Sequence, residues 1–172
     1  MDRREQILKR LLVILQSLTM FGTVGTTGPP VRLVARNYKL SDYSNTPALL
    51  LMDGTETVPD PAPVRARPDA IPPGVAQSIA RMYPQMFVVL DDRTPANLNS
   101  GEDINAWRAA LIILLGNDTV LRGLVTGSGK VDYLGTETDY QTGSTMDGRG
   151  QLNIAIDYPV SMDELASVTT RR

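Results

Sequence analysis

The sequence has no cysteine and no histidine among its 172 residues, and this double absence removes more chemistry than any feature present. Without imidazole or thiol there is no zinc site built on Cys or His ligands, no thiolate nucleophile and no histidine acid–base mechanism. Disulfides are excluded too, so cysteine usage carries no information on redox compartment. An excess of positive charge is also lacking: 17 Lys and Arg stand against 19 Asp and Glu, a net charge of −2, with a pI near 5.1. No global positive field exists to release counterions from phosphates, which argues against gripping or reading DNA, whereas weak acidity suits a wall past which DNA slides. Long hydrophobic runs are missing as well. Nowhere do about 20 apolar residues run together, so no membrane-spanning helix is expected. Arg3, Arg4, Lys9 and Arg10 ahead of Leu11–Leu15 have the look of a secretory leader, but Asp2 and Glu5 sit in the would-be positive region and Gln16 and Ser17 interrupt the apolar run. No cleaved leader is expected.

What is there reads as a folded chain. The apolar fraction is 42% and the charged fraction 21%, with Gly 14 and Pro 12 indicating much loop. A domain of roughly 150 residues buries about 68–70% of its unfolded surface without a metal or disulfide. One domain over residues 1–172 is expected, with no linker and no internal repeat.

From Asp2 to about Met20, Ile7, Leu11, Ile14, Leu15 and Leu18 recur at helical spacing, and Leu8, Leu12 and Val13 widen the stripe. This predicts a helix lying flat on a sheet or another subunit. Gly22–Pro30 breaks it. Val31, Leu33 and Ala35 alternate with Arg32, Val34 and Arg36 as in a half-buried strand, and Ala48–Met52 is a continuous apolar run suited to a buried one. Asp53-Gly54 predicts a turn, with Thr55–Val58 returning as a short hairpin partner. Prolines 59, 61, 63, 68, 72 and 73 leave room for no helix or central strand, so this stretch is read either as a solvated polyproline-like loop or as an arm reaching to a neighbouring subunit.

A short helical turn is expected near Val75–Arg81, then a buried strand at Met86–Leu90. Asn99 or Ser100 caps the next helix, whose stripe is Ile104, Trp107, Leu111 and Leu114 and which Gly116 ends; a second helical piece covers about Asp118–Val125. Lys130–Tyr140 and Gln151–Tyr158 are strands. In the latter Leu152, Ile154, Ile156 and Tyr158 face one way and Gln151, Asn153, Ala155 and Asp157 the other, so one face is packed and one wet. Gln141–Gly150 joins the two as an exposed loop, and the charged tail Asp163–Arg172 is held only by a partner, if at all. Strands and helices do not alternate regularly, which predicts an α+β fold: a mainly antiparallel sheet with helices packed on one face, plus a proline-rich extended arm or loop.

Candidate chemistry is thin. Gly22, Gly25 and Gly28 follow a helix rather than a strand, so they do not make a dinucleotide cradle, and Gly127-Ser128-Gly129-Lys130 lacks the remaining P-loop positions and reads as a turn. Asp91 and Asp92 could serve a carboxylate-dependent hydrolase, but adjacent strand residues point to opposite faces. Trp107 is expected as a core anchor first. No catalytic, cofactor-binding or metal-binding residue is assigned, and the chain is not expected to be an enzyme.

The Arg-rich opening helix Asp2–Leu18, the middle strand Met86–Leu90, the helix Gly101–Leu115 and the closing strand Leu152–Tyr158 with Pro159 after it give a layout covering most of the chain. In order and texture it resembles the tail terminator and tail completion proteins of long-tailed phages, the group that includes the minor tail protein U family. The proline-rich arm is longer than that family leads one to expect. The resemblance implies a structural virion protein of the tail–neck region, assembled in the host cytoplasm as a homohexameric ring on the last disc of the tail tube. There it would stop polymerisation and join the tail to the head connector, with genomic DNA passing through the lumen without sequence-specific binding. The implied partners are copies of itself, the tail tube protein and the head connector or neck protein, with no membrane and no cofactor. Another neck component, a head completion or head–tail adaptor protein, is the nearest alternative. Contacts in such a ring are expected from the arm, through Pro59, Arg65, Arg67 and Pro72, and from the late loop, through Thr142, Met146 and Arg149.

Overall fold

The computed structural model of the chain describes residues 2–18, 31–38, 46–57, 77–90, 100–125, 129–140 and 148–161. Among these residues three helices lie over a seven-stranded, mainly antiparallel sheet, an α+β architecture as expected.

The first helix, α1 (Arg3–Ser17), starts where the Asp2 side chain accepts the Arg4 amide N–H at 3.1 Å. Such a cap satisfies one of the amides orphaned by helix geometry. Ile7, Leu8, Leu11, Ile14 and Leu15 are its buried stripe. Two further helices, α2 (Ser100–Asn117) and α3 (Thr119–Val125), are nearly continuous. Gly116 does not end α2, contrary to expectation: the break falls at Asp118, whose carboxylate accepts the Leu121 N–H at 2.6 Å and grips the Arg10 guanidinium of α1 at 2.6–3.1 Å. Capping combined with a charge-assisted fork fixes the corner between the helices, and the guanidinium holds the Asp118 carboxyl below its usual range.

The strands are β1 (Leu33–Arg36), β2 (Ala48–Met52), β3 (Glu56–Thr57), β4 (Gln77–Met82), β5 (Gln85–Val89), β6 (Val131–Tyr140) and β7 (Gly148–Ser161). Their register shows fewer, longer ribbons. From Gln77 opposite Ser161 to Val89 opposite Arg149, β4 and β5 pair with β7 in one unbroken register. They are a single strand whose ladder is interrupted at Tyr83-Pro84, because proline has no N–H to donate. On the far side of this ribbon β2 pairs with β5 and β3 with β4, one residue out of step. The extra residue is a bulge at Asp53-Gly54. Gly54 sits at φ +66, and a Cβ there would lie 1.8 Å from the Tyr83 carbonyl oxygen, so only glycine fits. Beyond the bulge the Tyr83 N–H donates to the Thr55 carbonyl at 2.9 Å and pairing resumes. Across the sheet the order is therefore β1, β2–β3, β4–β5, β7, β6, with β1 parallel to β2 and every other pair antiparallel.

Two sequence expectations are corrected here. Asp53-Gly54 is not a hairpin turn: the chain bulges and continues, and Glu56-Thr57 pairs with β4 rather than with β2. The stretch expected as a helical turn near Val75–Arg81 is strand from Gln77 onward; Ala80 and Met82 are buried while Ile79 is exposed, a period of two. Pro159 stands within β7, but only where β6 no longer accompanies that strand.

The face of the sheet under the helices holds the main core: Leu49, Leu51, Met82, Met86, Val88, Leu152, Ile154, Ile156 and Tyr158 meet Ile7, Leu11, Ile104, Trp107 and Leu121. Gly150 lies in this layer, where a Cβ would come within 2.7 Å of Ile104 Cγ2 and 2.9 Å of Val88 Cγ1, which is how closely α2 rides on the sheet. No described helix is long and apolar enough to cross a membrane.

Candidate functional site: the open face of the sheet

The opposite face of the sheet carries no helix among the described residues, and its composition changes from strand to strand. One cross-strand rung runs Leu50, Phe87, Gln151, Glu137; its neighbours run Ala48, Val89, Arg149, Asp139 and Met52, Gln85, Asn153, Gly135. Each rung is apolar on β2 and polar or glycine on β6. Leu50, Phe87 and Val89 form the floor of a groove of about 920 Å³, with Tyr38 and Met52 at one end and Glu137, Thr138 and Arg149 at the other. Ala48, Leu50 and Val89 make a second, small apolar cluster, with Leu33, Ala35 and Phe87 partly buried against it.

The polar wall is ordered by its own hydrogen bonds. The Gln151 amide N–H donates to Asn153 Oδ1 at 2.6 Å, and the Asn153 amide donates to Glu137 Oε1 at 3.4 Å. These bonds fix the amides along β7 and leave Gln151 with a second N–H and its carbonyl. A groove with an apolar floor and a few convergent donors and acceptors is the usual form of a binding surface.

Farther along the same face, charge pairs tie the ribbons together. Arg81 on β4 forks onto Asp157 on β7 at 2.6 and 2.7 Å, and Lys130 meets Asp132 at 2.6 Å. Asp157 is only 8% exposed, and the Arg81 guanidinium holds its carboxyl below the usual range. Ala155 is buried as well, so this half of the face, expected to be wet, is not. At the opposite end of the sheet Arg36 forks onto Asp53 at 2.6 and 2.8 Å and onto Glu5 at 2.8 and 2.9 Å, joining β1 to the bulge and to α1.

Of the seven contact residues expected from sequence, Arg149 alone lies within the described residues. It is not in a loop: β7 begins at Gly148, and Arg149 pairs with Val89 and with Asp139 at the rim of the groove. Pro59, Arg65, Arg67, Pro72, Thr142 and Met146 fall outside the described residues, as do Asp91, Asp92, the Gly22–Pro30 segment and the charged tail. Trp107, 2% exposed, stands in the helix–sheet core as expected, and its indole N–H has no hydrogen-bond partner among the described residues. Of the expected turn Gly127–Lys130 only Gly129 and Lys130 lie within the described residues: Gly129 N–H donates to the Val125 carbonyl, and the Lys130 carbonyl accepts from Asp157 N–H. Among the described residues no three His, Cys, Asp or Glu side chains group as a metal site would need.

Sequence reasoning missed the groove itself. Its floor comes from β2 and β5, which are buried as their apolar runs predict, Ala48, Leu50 and Val89 included, but nothing local marks Leu50 and Phe87 as facing away from the helices. It also missed apolar exposure elsewhere: Val13, Ile112, Ile113 and Val120 stand out from the helices, and Tyr133 and Leu134 are exposed where the edge strand β6 bulges between Tyr133 and Gly135. No known protein family matches the sequence, and no curated protein matches it either.

Proposed function

We propose that this chain is a structural virion subunit that closes into a ring on the end of a phage tail tube, stops its polymerisation and joins it to the head connector. The observation that carries the reading is the division of the sheet into two faces, one sealed by helices and one grooved and apolar-floored, beside edges that have no outer strand among the described residues. A subunit that assembles needs such surfaces and needs no reaction centre.

A closed ring requires a heterologous interface, in which two different patches of the subunit meet. The sheet supplies two. Its edges, β1 and β6, have no outer strand partner among the described residues and run in opposite directions, because β1 is parallel to β2 and the ribbons between alternate. Copies related by rotation about an axis along the strands would bring the β6 edge of one to the β1 edge of the next in antiparallel sense. The short β1 and the bulged, acidic β6 discourage indiscriminate pairing, which suits assembly with one chosen neighbour. The net charge of −2 suits a lumen through which DNA slides.

Light scattering and negative-stain imaging of the purified protein, alone and mixed with tail tubes, test the proposal. Rings, or caps on tube ends, are expected. A monomer at high concentration that ignores tubes overturns it.

A further inference from the structure

The helix α2 carries a second uncharged side that the subunit leaves in water. Ile104, Trp107, Leu111 and Leu115 bury its inner side, yet Ile112 and Ile113 on the outer side stand 36% and 59% exposed. From Ile104 to Asn117 the one charged residue is Arg108, itself half-buried. A helix that is apolar all round belongs in an interior. On the surface of this subunit, its outer side needs another surface to cover it.

The order of the outward residues selects that surface. Counted away from the level of Leu111, they are Ala110, Ala109, Ala106 and Asn105 toward the N-terminus, and Ile112, Ile113, Gly116 and Asn117 toward the C-terminus. A second copy laid antiparallel about that level sets Ile112 on Ala110, Ile113 on Ala109, Gly116 on Ala106 and Asn117 on Asn105, each twice. Bulk then meets small residues at every step and amide meets amide at the ends, so ridges fill grooves. A parallel copy would set isoleucine on isoleucine and alanine on alanine. Gly116 supports a close approach from outside: a Cβ there would meet nothing within 4 Å, so no contact inside the subunit requires glycine, which weakens a helix.

Charge has the same two-fold layout. Glu102 and Asp103 make an acidic first turn, and at the other end Arg122 donates to the Gly116 carbonyl. Helix carbonyls point toward the C-terminus. The guanidinium therefore lies beyond Gly116, level with residues 102 and 103 of an antiparallel copy. Burial, then the neighbouring Glu102, raise the Asp103 carboxyl above its ordinary value, and a guanidinium brought alongside lowers it again.

We infer that α2 pairs with α2 of a second copy of this chain, antiparallel about the level of Leu111, as a two-fold contact separate from the β1 and β6 edges.

Gly116→Leu tests this, because subunit and contact respond in opposite directions. Leucine is the better helix former and has room within the subunit, so the urea midpoint should hold or rise. Association of the full chain, followed by sedimentation equilibrium over a rising concentration series, should weaken about tenfold through overpacking. Ile113→Lys, at an exposed position, should weaken it as well. Because the chain has no native cysteine, single-cysteine variants read the orientation. Along the paired axes two copies of Ile112→Cys lie about 3 Å apart and two of Asn105→Cys about 18 Å. A short bismaleimide should therefore join the first at about tenfold the yield of the second. Equal yields, or more joining at position 105, overturn the antiparallel pairing, and a parent protein that stays monomeric throughout the series overturns the contact. Rings or tube caps should persist in Gly116→Leu; their loss together with the pair overturns a separate contact. Pairing without rings or caps supports this contact and rejects the ring reading alone.

Discussion

Replacing Gly54 by alanine puts the ribbon architecture to its sharpest test, because one methyl group there meets two independent penalties. At φ +66 a non-glycine residue pays for a left-handed backbone, about 1–3 kcal/mol. The new Cβ would also stand 1.8 Å from the Tyr83 carbonyl oxygen and 2.6 Å from its carbon. Those are backbone atoms of the neighbouring ribbon, which cannot rotate aside, so relief requires the ribbons to part where the ladder resumes. Forced overpacking of this kind costs about 1–3 kcal/mol more. The combined loss, about 2–6 kcal/mol, is a large share of the roughly 5–15 kcal/mol that holds a domain together. The internal control is Gly123→Ala in α3, where nothing lies within 4 Å of the added methyl; it should stabilise by about 0.5–1 kcal/mol through helix propensity. Urea unfolding followed by far-UV circular dichroism reads both, provided the m-values match the parent. If Gly54→Ala loses less than about 1 kcal/mol, the bulge is misplaced, and with it the register that sets Leu50 and Phe87 on the open face.

Stability should be flat between about pH 5 and 8, because there is no histidine to titrate there. Below about pH 4 it should fall, since Glu5, Asp53, Asp118 and Asp157 all have carboxyls lowered by partner guanidinium groups. A carboxyl depressed in the folded state contributes stability above its unfolded value and loses it as pH drops through the folded one; a urea midpoint still rising from pH 5 to pH 3 would contradict these pairings. Asp157→Asn should cost about 1–2 kcal/mol by breaking the fork with Arg81, itself partly exposed and so discounted for solvent. A denaturation midpoint unchanged from the parent would show that β4 and β7 do not depend on that pair. Trp107→Ala should lose about 3–5 kcal/mol. Trp107→Phe should lose clearly less, because it removes a buried N–H without a partner; equal losses in melting experiments would place the indole in a different environment.

Local pattern alone settled the elements whose signal repeats within a few residues. The stripe of α1, the alternation of Leu152, Ile154, Ile156 and Tyr158, the paired helices and the strand at Met86–Leu90 follow from side-chain periodicity, and with them the α+β class. Absence was informative too, since lacking cysteine and histidine rules out thiol and imidazole chemistry in any fold. Tertiary structure decided whatever depends on which distant residue lies opposite. A glycine after an aspartate reads locally as a turn, and only the approach of Tyr83 makes Gly54 a bulge in a continuing ribbon. A strand of Gln, Ser, Ile, Ala, Arg and Met has weak intrinsic preference, and only pairing with β7 makes β4 a strand. Asp157 looks solvent-facing by alternation, and only Arg81, reached across the sheet, lets it be buried. The groove belongs wholly to this second kind: Leu50, Phe87, Gln151 and Glu137 lie on four different strands, and no spacing along the chain could announce that one rung would carry them from oil to charge.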